Sequence, residues 1–392
     1  MATDITVTVA SAKQWSEFVD LAKRSYGQDI KDAEQLREVA DCRVAVRSGT
    51  VIAGGVGLTA EQFFGGQEVR SGLLAGGCIA PEERGSRLAG QLLLGRIGPL
   101  IDDGAVLVSA WTTSNEYGRK LGWQAPCPVY SWRVRADDLR RAFSGSAYQV
   151  NFGISAEGET LIGEVCRRWN GAIRRPPWWT EWKIRQMGLD VYEFRDDSGI
   201  VSGVTTVSGV SKEPVRELRV HDFIAGDAAV AATMFNFLSR YNSLAEWVGF
   251  RRASLPPAPL LLHNLSRVRA EAQAHHPWML RILNVEGALQ QRGWREMEEQ
   301  EFTMALVDNF TGETSRYDIE VRKGAADVSK STRDPDFTLD MCQLASWYAG
   351  GYRSAESARL DGISCHSSAP SRALDDFVAL TNAHEVWLPE QF

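Results

Sequence analysis

The alternation of apolar and polar residues divides the N-terminal third of the chain into strands and helices. The segment "ITVTVA" alternates like a half-buried strand, and "AKQWSEFVDLAKRSY" spaces its apolar residues like an amphipathic helix. Residues 42–80 predict three strands separated by glycine-bearing turns, followed by a Leu-rich helix and the apolar strand "AVLVSAWTT". "SNEYGRKLGWQ" then predicts a short helix that closes at Gly122. This order of elements indicates an α+β fold.

Similar patterns continue through two further segments, so we expect three domains, at residues 1–132, 133–285 and 286–392. In the second, "GETLIGEVCRRWN" predicts a helix, "VYEFRDDSGIVSGVTTVSG" a hairpin, "VRELRVHDFIA" a strand, and "GDAAVAATMFNFLSRYNS" a helix with an acidic start. The Pro-rich "RRASLPPAPLLLHN" predicts a rigid extended crossing. In the third, strands "EFTMALVDNF" and "SRYDIEVRKG" precede a helix broken at Gly350.

Composition narrows the function classes. A chain of 392 residues exceeds a single core. The net charge of −7 gives no overall attraction to nucleic acid or anionic lipid. Six cysteines without a C-x-x-C pair and six histidines predict reduced thiols and no metal site. The N-terminus has no signal pattern, and no apolar run reaches the roughly 18 residues of a membrane span. We therefore expect a cytoplasmic protein with no membrane partner.

Five motifs, in order along the whole chain, resemble the enhanced intracellular survival (Eis) type of GNAT acetyltransferase. They are "GGCIAPEERGSRLAGQLL", "EYGRKLGW", "RRWNGAIRRPPWW", "HPWMLRILNVEGALQQRGW" and "LASWYAGGYRSAESARLDGI". The resemblance implies two tandem GNAT-fold domains, the second degenerate, followed by a sterol-carrier-protein-like domain whose C-terminus reaches the active site. It also implies a homo-oligomer, namely a hexamer.

The same resemblance implies an N-acyltransferase. It would transfer an acyl group, acetyl in the first instance, from acetyl-CoA or another acyl-CoA to a primary amine of a small molecule. Backbone N–H groups near Cys78 and Ile79 would bind the acyl oxygen, since such donors stabilise an oxyanion. Tyr117 would protonate the leaving thiolate, because a phenol keeps its proton at neutral pH. The terminal carboxylate of Phe392 would accept or guide the amine proton.

The predicted phosphate loop departs from the pattern R/Q-x-x-G-x-G/A of the resembled family. In that pattern, helix N-terminal N–H groups bind the CoA pyrophosphate, and glycine allows its close approach. Counted from Pro81, the loop reads Arg84, Gly85, Ser86, Arg87, Leu88 and Ala89, with Arg87 at the central glycine position. Three interpretations remain open. Arg87 clamps the phosphate by charge, a later register starting at Arg87 forms the turn, or the loop has lost CoA binding.

Two catalytic predictions carry open alternatives. Tyr117 precedes Gly122 by five residues rather than the four of the resembled family, so the extra residue either forms a bulged turn or moves the hydroxyl out of line. The chain terminus at Phe392 either frays, as termini commonly do, or docks through the apolar Trp387 and Leu388. Docking is required for a catalytic carboxylate.

The acceptor pocket and the donor also allow alternatives. Asp29 and Trp111 are predicted to line the pocket, with Glu61 as a further acidic candidate; core packing and ordinary surface exposure are the alternatives. Residues 167–185 interleave arginines with tryptophans, which suits either domain packing or stacking on single-stranded nucleic acid. A second hypothesis is therefore a GNAT-fold transferase that takes its acyl group from an aminoacyl-tRNA. A third is a non-enzymatic scaffold whose transferase site has decayed.

Overall fold

The computed structural model describes residues 5–27, 30, 32–85, 88–112, 115–144, 147–211, 215–254, 268–275, 278–297 and 299–390. The predictions for Asp29, Ser86, Arg87 and Phe392, and for most of the Pro-rich crossing, lie outside these residues. The chain forms two compact units. The first unit consists of residues 1–126, 277–384 and 390–392, and the second unit of residues 127–276 and 385–389. In the described part of the chain, no helix combines the length and the apolar character needed to cross a bilayer.

The strands and helices are numbered in chain order. The strands are β1 (Ile5–Val9), β2 (Asp41–Arg47), β3 (Thr50–Phe64), β4 (Gln67–Ile79), β5 (Leu107–Trp111), β6 (Val129–Arg135), β7 (Gln149–Phe152), β8 (Trp169–Asn170), β9 (Ile173–Arg174), β10 (Leu189–Arg195), β11 (Val201–Ser211), β12 (Glu217–Ala225), β13 (Trp247–Arg252), β14 (Ala270–His275), β15 (Trp278–Ile282), β16 (Gln300–Val307), β17 (Thr314–Arg322), β18 (Ala325–Lys330), β19 (Phe337–Asp340), β20 (Ser364–Cys365) and β21 (Glu385–Val386). The helices are α1 (Ala12–Tyr26), α2 (Ala33–Val39), α3 (Leu88–Asp102), α4 (Asn115–Arg119), α5 (Ala136–Ala142), α6 (Ala156–Cys166), α7 (Trp179–Met187), α8 (Ala228–Ser239), α9 (Val285–Gln291), α10 (Met341–Ala349), α11 (Ala355–Leu360) and α12 (Pro370–Ala379).

The first unit contains a twisted sheet in the order β1-β2-β3-β4-β5-β15. Neighbouring strands are antiparallel except β4 and β5, which are parallel. The last strand, Trp278–Ile282, lies far along the chain from β5 and pairs with it along its full length. It covers the edge that β5 would otherwise expose, and unpaired sheet edges invite association with other chains.

Helices pack on both faces of this sheet. A capping box at Ser11 begins α1, which buries Trp15 and Phe18 against β2 and β3. On the opposite face, α3 buries Ile97 and Leu100 against β4 and β5. Burying each large apolar side chain contributes roughly 1.5–3 kcal/mol. The sheet is thus covered by an apolar layer on each face.

The C-terminal part of the first unit forms a second sheet, in the order β18-β17-β16-β19-β20. Its interior is filled by aromatic rings. Trp347 and Phe377 stack with their centroids 4.4 Å apart, and Phe302 meets Phe377 edge-on at 5.5 Å. The Trp347 Nε1–H donates to the Phe377 carbonyl at 2.7 Å, so the buried indole is satisfied.

The two sheets of the first unit join at a close backbone contact. A Cβ on Gly65, in the β3–β4 turn, would lie 1.9 Å from the Gly293 carbonyl oxygen, so only glycine fits there. The Gly293 N–H donates to the Phe64 carbonyl at 2.9 Å. The neighbouring Arg292 is buried, and its guanidinium lies 4.7 Å from the centre of the Trp294 ring.

The second unit contains a sheet in the order β14-β6-β13-β12-β11-β10-β7, and its parallel pair is β12 and β13. Phe235 and Leu238 of α8 pack into its core. The predicted acidic start of this helix is confirmed, because the Asp227 carboxylate accepts hydrogen bonds from the Ala229 and Val230 N–H groups at 2.8 and 2.9 Å. The α+β order predicted from the sequence is therefore confirmed in both units.

Candidate active site

Strand β4 carries a β-bulge near its C-terminal end. Gly54 pairs with Cys78, but Val56 pairs with Ala75, so two residues of β4 lie opposite one residue of β3. Gly76, inside the bulge, has a φ of 56°, a left-handed conformation that glycine adopts without strain. The "AGGC" sequence of this strand thus allows an irregularity that side chains would oppose.

Strands β4 and β5 part beside the bulge. Their parallel pairing runs from Ser71 opposite Leu107 to Leu74 opposite Ala110, whereas β4 continues to Ile79. The backbone beyond Leu74 therefore lies past the paired part of β5, on the side that carries the bulge. Such an opening is suited to a carbonyl oxygen that needs N–H partners.

Arg96 of α3 lies buried against the bulge, with 6% of its surface exposed. One of its terminal nitrogens donates to the carbonyls of Val56 and Ala75, at 2.6 Å each. These carbonyls flank the bulge on β3 and on β4. The sequence predictions missed this residue, although an arginine inside the apolar run "LLLGRIGPL" is a signal that could have found it.

The predicted phosphate loop connects β4 to the N-terminus of α3. It begins with a 3-10 turn, Pro81–Glu83, whose two acids are neutralised: Glu82 pairs with Arg24 at 3.1 Å, and Glu83 with Arg47 at 2.6 Å. These pairs remove a charge that would otherwise oppose an anion at the helix start.

Beyond the turn, the Arg84 Nε–H donates to the Ile79 carbonyl at 3.3 Å, and Gly85 has a φ of 85°. Ala89 then lies in the first turn of the 15-residue helix α3, where backbone N–H groups have no partner within the helix. The structure thus brings Arg84, Gly85 and Ala89 together at one helix N-terminus. Ser86 and Arg87, between them, lie outside the described residues.

Tyr117 lies in α4 and faces the first turn of α3. A Cβ added to Gly90 would lie 3.1 Å from the Tyr117 hydroxyl, and the tyrosine side chain is 42% exposed. After α4 the chain closes as a Schellman turn: the Trp123 N–H donates to the Gly118 carbonyl at 3.1 Å, and Gly122 has a φ of 77°. The residues that follow Tyr117 up to Gly122 form this turn.

Trp111 ends β5 at the point where the two strands part. Side chains alternate between the two faces along β5, so Trp111 and Val108 lie on different faces of the sheet. Val108 packs on the α3 face, and Trp111 therefore lies on the face that carries α1. Cys78 belongs to the apolar cluster under α1 on that same face. The Trp111 Nε1–H is buried and has no hydrogen-bond partner among the described residues. Burial raises the pKa of the Cys78 thiol, which therefore stays protonated at neutral pH.

Residues 385–389 of the C-terminal segment belong to the second unit. Strand β21 pairs in parallel with β8, and the Trp387 N–H donates to the Asn170 carbonyl at 2.9 Å. Trp387 and Leu388 are buried, as predicted for a docked tail. Phe392 itself lies outside the described residues, so its catalytic role remains a prediction.

The acidic candidate Glu61 lies towards the other end of β3 from the bulge. Its carboxylate accepts from Arg70 at 3.0 Å, and Arg70 also pairs with Asp103 at 3.3 Å. This exposed network ties the β3–β4 hairpin to the end of α3. Glu61 therefore has a structural partner away from the parted strands.

Much of the arginine- and tryptophan-rich stretch 167–185 is buried. Trp179 is 2% exposed, and the Arg175 and Lys183 side chains are 4% and 7% exposed. Both cations donate to the carboxylate of Asp222, at 2.6 and 3.0 Å. These residues pack the second unit together rather than forming an exposed stacking surface, in line with the packing interpretation of this stretch.

The second unit has a parallel strand pair like that of the first, β12 and β13. The helix that follows β12, α8, differs from α3 because its N-terminus is occupied by a side chain of the protein. The two N–H groups at the start of α8 are already bound by the Asp227 carboxylate, which carries the charge of an anionic ligand. A groove of about 310 Å³ lies elsewhere in this unit, and Arg219, Gly249 and Glu271 line part of it. None of the predicted site residues that the structure describes line this groove.

Comparisons with known proteins identify the domains of the chain. Family models match an acetyltransferase (GNAT) domain at residues 6–125, a second acetyltransferase (GNAT) domain at 171–282, and a sterol carrier protein domain at 285–389. An uncharacterized N-acetyltransferase from Streptomyces griseus is 22% identical, covering 100% of both chains.

Two solved structures share the fold over nearly the whole chain. A GCN5-related N-acetyltransferase from Anabaena variabilis superposes with a TM-score of 0.86 at 20% identity, over 99% of this chain and 100% of that one. Eis1 from Mycobacterium abscessus has a TM-score of 0.78 at 17% identity, over 99% and 100%. The predicted order of two GNAT-fold domains and a sterol-carrier-like domain is confirmed, and an enzyme is favoured over a decayed scaffold. The chain is therefore an acyltransferase of the GNAT type, with two acetyltransferase domains and a C-terminal sterol carrier protein domain.

Proposed function

We propose that the first domain transfers an acyl group from a CoA thioester, acetyl-CoA in the first instance, to a primary amine of a small molecule. The observation that carries this proposal is the opening between β4 and β5 at the bulge, next to the N-terminus of α3 and the hydroxyl of Tyr117. One opening thus has candidates for the three tasks of the reaction: binding a phosphate, holding an acyl oxygen and protonating a thiolate.

The pyrophosphate of the donor would bind at the N-terminus of α3. The helix dipole and the unpaired N–H groups near Ala89 favour an anion there. Arg84 adds a positive charge on the loop, and the adjacent acids are already paired with Arg24 and Arg47. Among the interpretations of the loop, this arrangement supports one that retains CoA binding. Ser86 and Arg87 complete the predicted loop in this proposal.

The acyl carbonyl would lie in the opening, where backbone N–H groups near Cys78 and Ile79 bind its oxygen. The amine then attacks the carbonyl carbon, a C–N bond forms, and the C–S bond breaks. Tyr117 donates its proton to the departing sulfur, and the carboxylate of Phe392 takes the proton from the amine. Burial raises the pKa of the Cys78 thiol and makes it a poor nucleophile, so we take the transfer to be direct rather than through an acylated cysteine.

The acceptor would enter on the α1 face of the sheet. Trp111 lies on that face with an unpartnered indole N–H, and Asp29 is predicted to lie at the same pocket. An acidic and aromatic lining suits a cationic amine. The whole-length likeness to Eis1 supports an Eis-type arrangement of the three domains, and we extend the proposal to a hexameric assembly, which light scattering on the purified protein would test.

Calorimetric titration with acetyl-CoA and CoA tests the donor, and release of free thiol in the presence of a panel of primary amines tests the reaction. Tyr117→Phe is expected to lower kcat by about 10²-fold, the size of a lost general acid, with binding of CoA unchanged. Tyr130→Phe, a half-buried tyrosine of the second unit, is the matched control and should leave kcat unchanged. Absence of heat at millimolar acetyl-CoA, together with binding of an aminoacyl-tRNA, would replace the CoA donor with the tRNA alternative.

A further inference from the structure

We propose that Arg96 is a positioning residue that holds the β4 bulge in the shape needed to bind the acyl oxygen; this inference rests on the proposed function. Its guanidinium bridges the carbonyls of Val56 and Ala75, at 2.6 Å each, on the two strands that flank the bulge. A bulge interrupts the ladder between its strands, and both carbonyls receive a charged donor there. The inference concerns the geometry of the site, and assigns no contact between Arg96 and substrate.

Two glycines make room for this guanidinium. A Cβ on Gly55 would lie 2.4 Å from the Arg96 Cζ, and a Cβ on Gly77 would lie 2.5 Å from one of its terminal nitrogens. Neither glycine has a left-handed φ, so backbone conformation alone does not require glycine at these positions. Glycine is required at both positions because Arg96 occupies the space that a Cβ would take. Gly55, Gly77 and Arg96 therefore depend on one another.

The bridge also acts on the peptide that forms the bulge. The Ala75 carbonyl and the Gly76 N–H belong to the same peptide group. A positive donor on the carbonyl polarises that group and strengthens its N–H as a donor, by roughly 10–30% for a cooperative bond. A buried cation next to the opening further favours negative charge on the acyl oxygen as the amine attacks. Arg96 thus fixes and polarises the bulged backbone that leads into the N–H groups near Cys78 and Ile79, and its charge favours the developing oxyanion.

Replacement variants separate this role from simple packing. Arg96→Met keeps the length of the side chain but removes its donors, and is expected to lower kcat about 10²-fold with KM for acetyl-CoA nearly unchanged. Arg96→Lys retains the charge and should recover part of the loss. Gly55→Ala displaces the guanidinium while keeping it in the protein, and should lower kcat in the same way, even if Arg96→Met fails to fold. Leu100→Ala, on the same helix face, is the control for a destabilised core.

Two readouts complete the test. The thioester carbonyl stretch of bound, carbon-13-labelled acetyl-CoA should move to higher frequency in Arg96→Met and Gly55→Ala, because its hydrogen bonds weaken, but not in Leu100→Ala. Amide hydrogen exchange of the peptide covering residues 74–79 should become about tenfold faster in the same two variants, and this measurement needs no activity.

The outcomes distinguish the two proposals. If the wild-type protein neither binds nor uses acetyl-CoA, the proposed function fails, and hydrogen exchange alone decides whether Arg96 holds the bulge. If the protein is active and both variants keep kcat within about threefold with unchanged exchange at residues 74–79, the role of Arg96 is refuted. Equal effects in Leu100→Ala would likewise refute it, because they would show a general loss of packing.

Discussion

Replacing Asp222 by Asn is expected to destabilise the second unit strongly, although the two side chains have nearly the same size. The Asp222 side chain is 1% exposed, and it lies between two cations that are almost as deeply buried, Arg175 and Lys183. Its Oδ1 accepts from both cations, and its Oδ2 accepts from the Thr206 hydroxyl at 2.9 Å. Asparagine keeps the volume but removes the charge that compensates the two cations.

The expected loss follows from this geometry. Removing one partner from a buried ion pair costs about 3–5 kcal/mol, because the remaining charge stays desolvated without compensation. Here one carboxylate serves two cations, so we place Asp222→Asn at the upper end of that range. Removing a cation as well, in the double variant Asp222→Asn/Lys183→Met, should cost less than the sum of the two single changes, since the second change removes an uncompensated charge.

The assay is amide hydrogen exchange of peptides covering β11 and β12 under increasing urea. It gives a free energy of unfolding for this unit, whereas a chain of several domains does not unfold in two states. Glu181→Gln is the matched control. Glu181 pairs with Arg185 at 2.6 Å in the same stretch of sequence but is exposed, so its loss should stay below about 1 kcal/mol. A loss for Asp222→Asn no larger than that of the control would refute the argument.

The dependence on pH has a definite sign. Burial alone would raise the pKa of the Asp222 carboxyl, but the charges of Arg175 and Lys183 outweigh it and hold the pKa well below its usual range. A carboxyl whose pKa is lower in the folded than in the unfolded protein stabilises the fold. This stabilisation is complete above the pKa of the unfolded state, about 3.9, and is lost as the pH falls through the pKa of the folded state. The difference between wild type and Asp222→Asn should therefore be constant from pH 7 to about pH 5 and should shrink only in stronger acid.

Two further changes test the site. Gly122→Ala should lower stability by about 1 kcal/mol or more, measured as a shift in melting temperature, because φ is 77° there and the new Cβ would lie 3.1 Å from the Met341 Cβ; unchanged stability would contradict the turn geometry. Cys78→Ala should keep kcat within about threefold, since the raised pKa of the Cys78 thiol makes it a poor nucleophile. An acylated Cys78 detected by mass spectrometry during turnover would contradict direct transfer.

Elements set by local patterns could be predicted from the sequence. The 15-residue helix α1 combines a regular apolar stripe with a capping box and a C-terminal glycine, and the structure shows it over Ala12–Tyr26. The break at Gly350 is also local, because this glycine ends α10 with a φ of 82°. In these segments the residues that form the element also determine its ends.

Elements set by distant partners could not be predicted in the same way. The strand β15 is only five residues long, and nothing in "WMLRI" indicates that it pairs with β5. At the register shift in β4, the space beside Gly55 in the neighbouring strand is filled by Arg96, from a helix that follows both strands. The sequence motifs identified Cys78 and the loop after it as candidate site residues, because a motif lies within one continuous segment. Arg96 acts across three segments and shows only as a charged residue in an apolar helix.

The position of Tyr117 depends on parts of the chain that lie outside the first domain. The Cys342 Sγ, at the start of α10 in the third domain, lies 3.3 Å from both the Arg119 and the Trp123 carbonyl oxygens, so its single S–H is shared between them. The Met279 side chain, from β15, lies against Gly118 so closely that a Cβ there would be 2.9 Å from its terminal carbon. The helix that carries the candidate acid thus packs against two segments that are distant in the sequence, β15 and the start of α10.

This dependence explains how a short, half-exposed helix can hold a group with the accuracy that catalysis needs. A helix of five residues has little stability of its own, because nucleation costs more than so few hydrogen bonds return. Packing against β15 and α10 supplies the stability that the short helix lacks. Accurate placement matters because a shift of a catalytic group by about 1 Å is enough to lower the rate about 10²-fold. The third domain therefore supports the candidate transferase site through its fold, apart from the role proposed for the terminal carboxylate of Phe392.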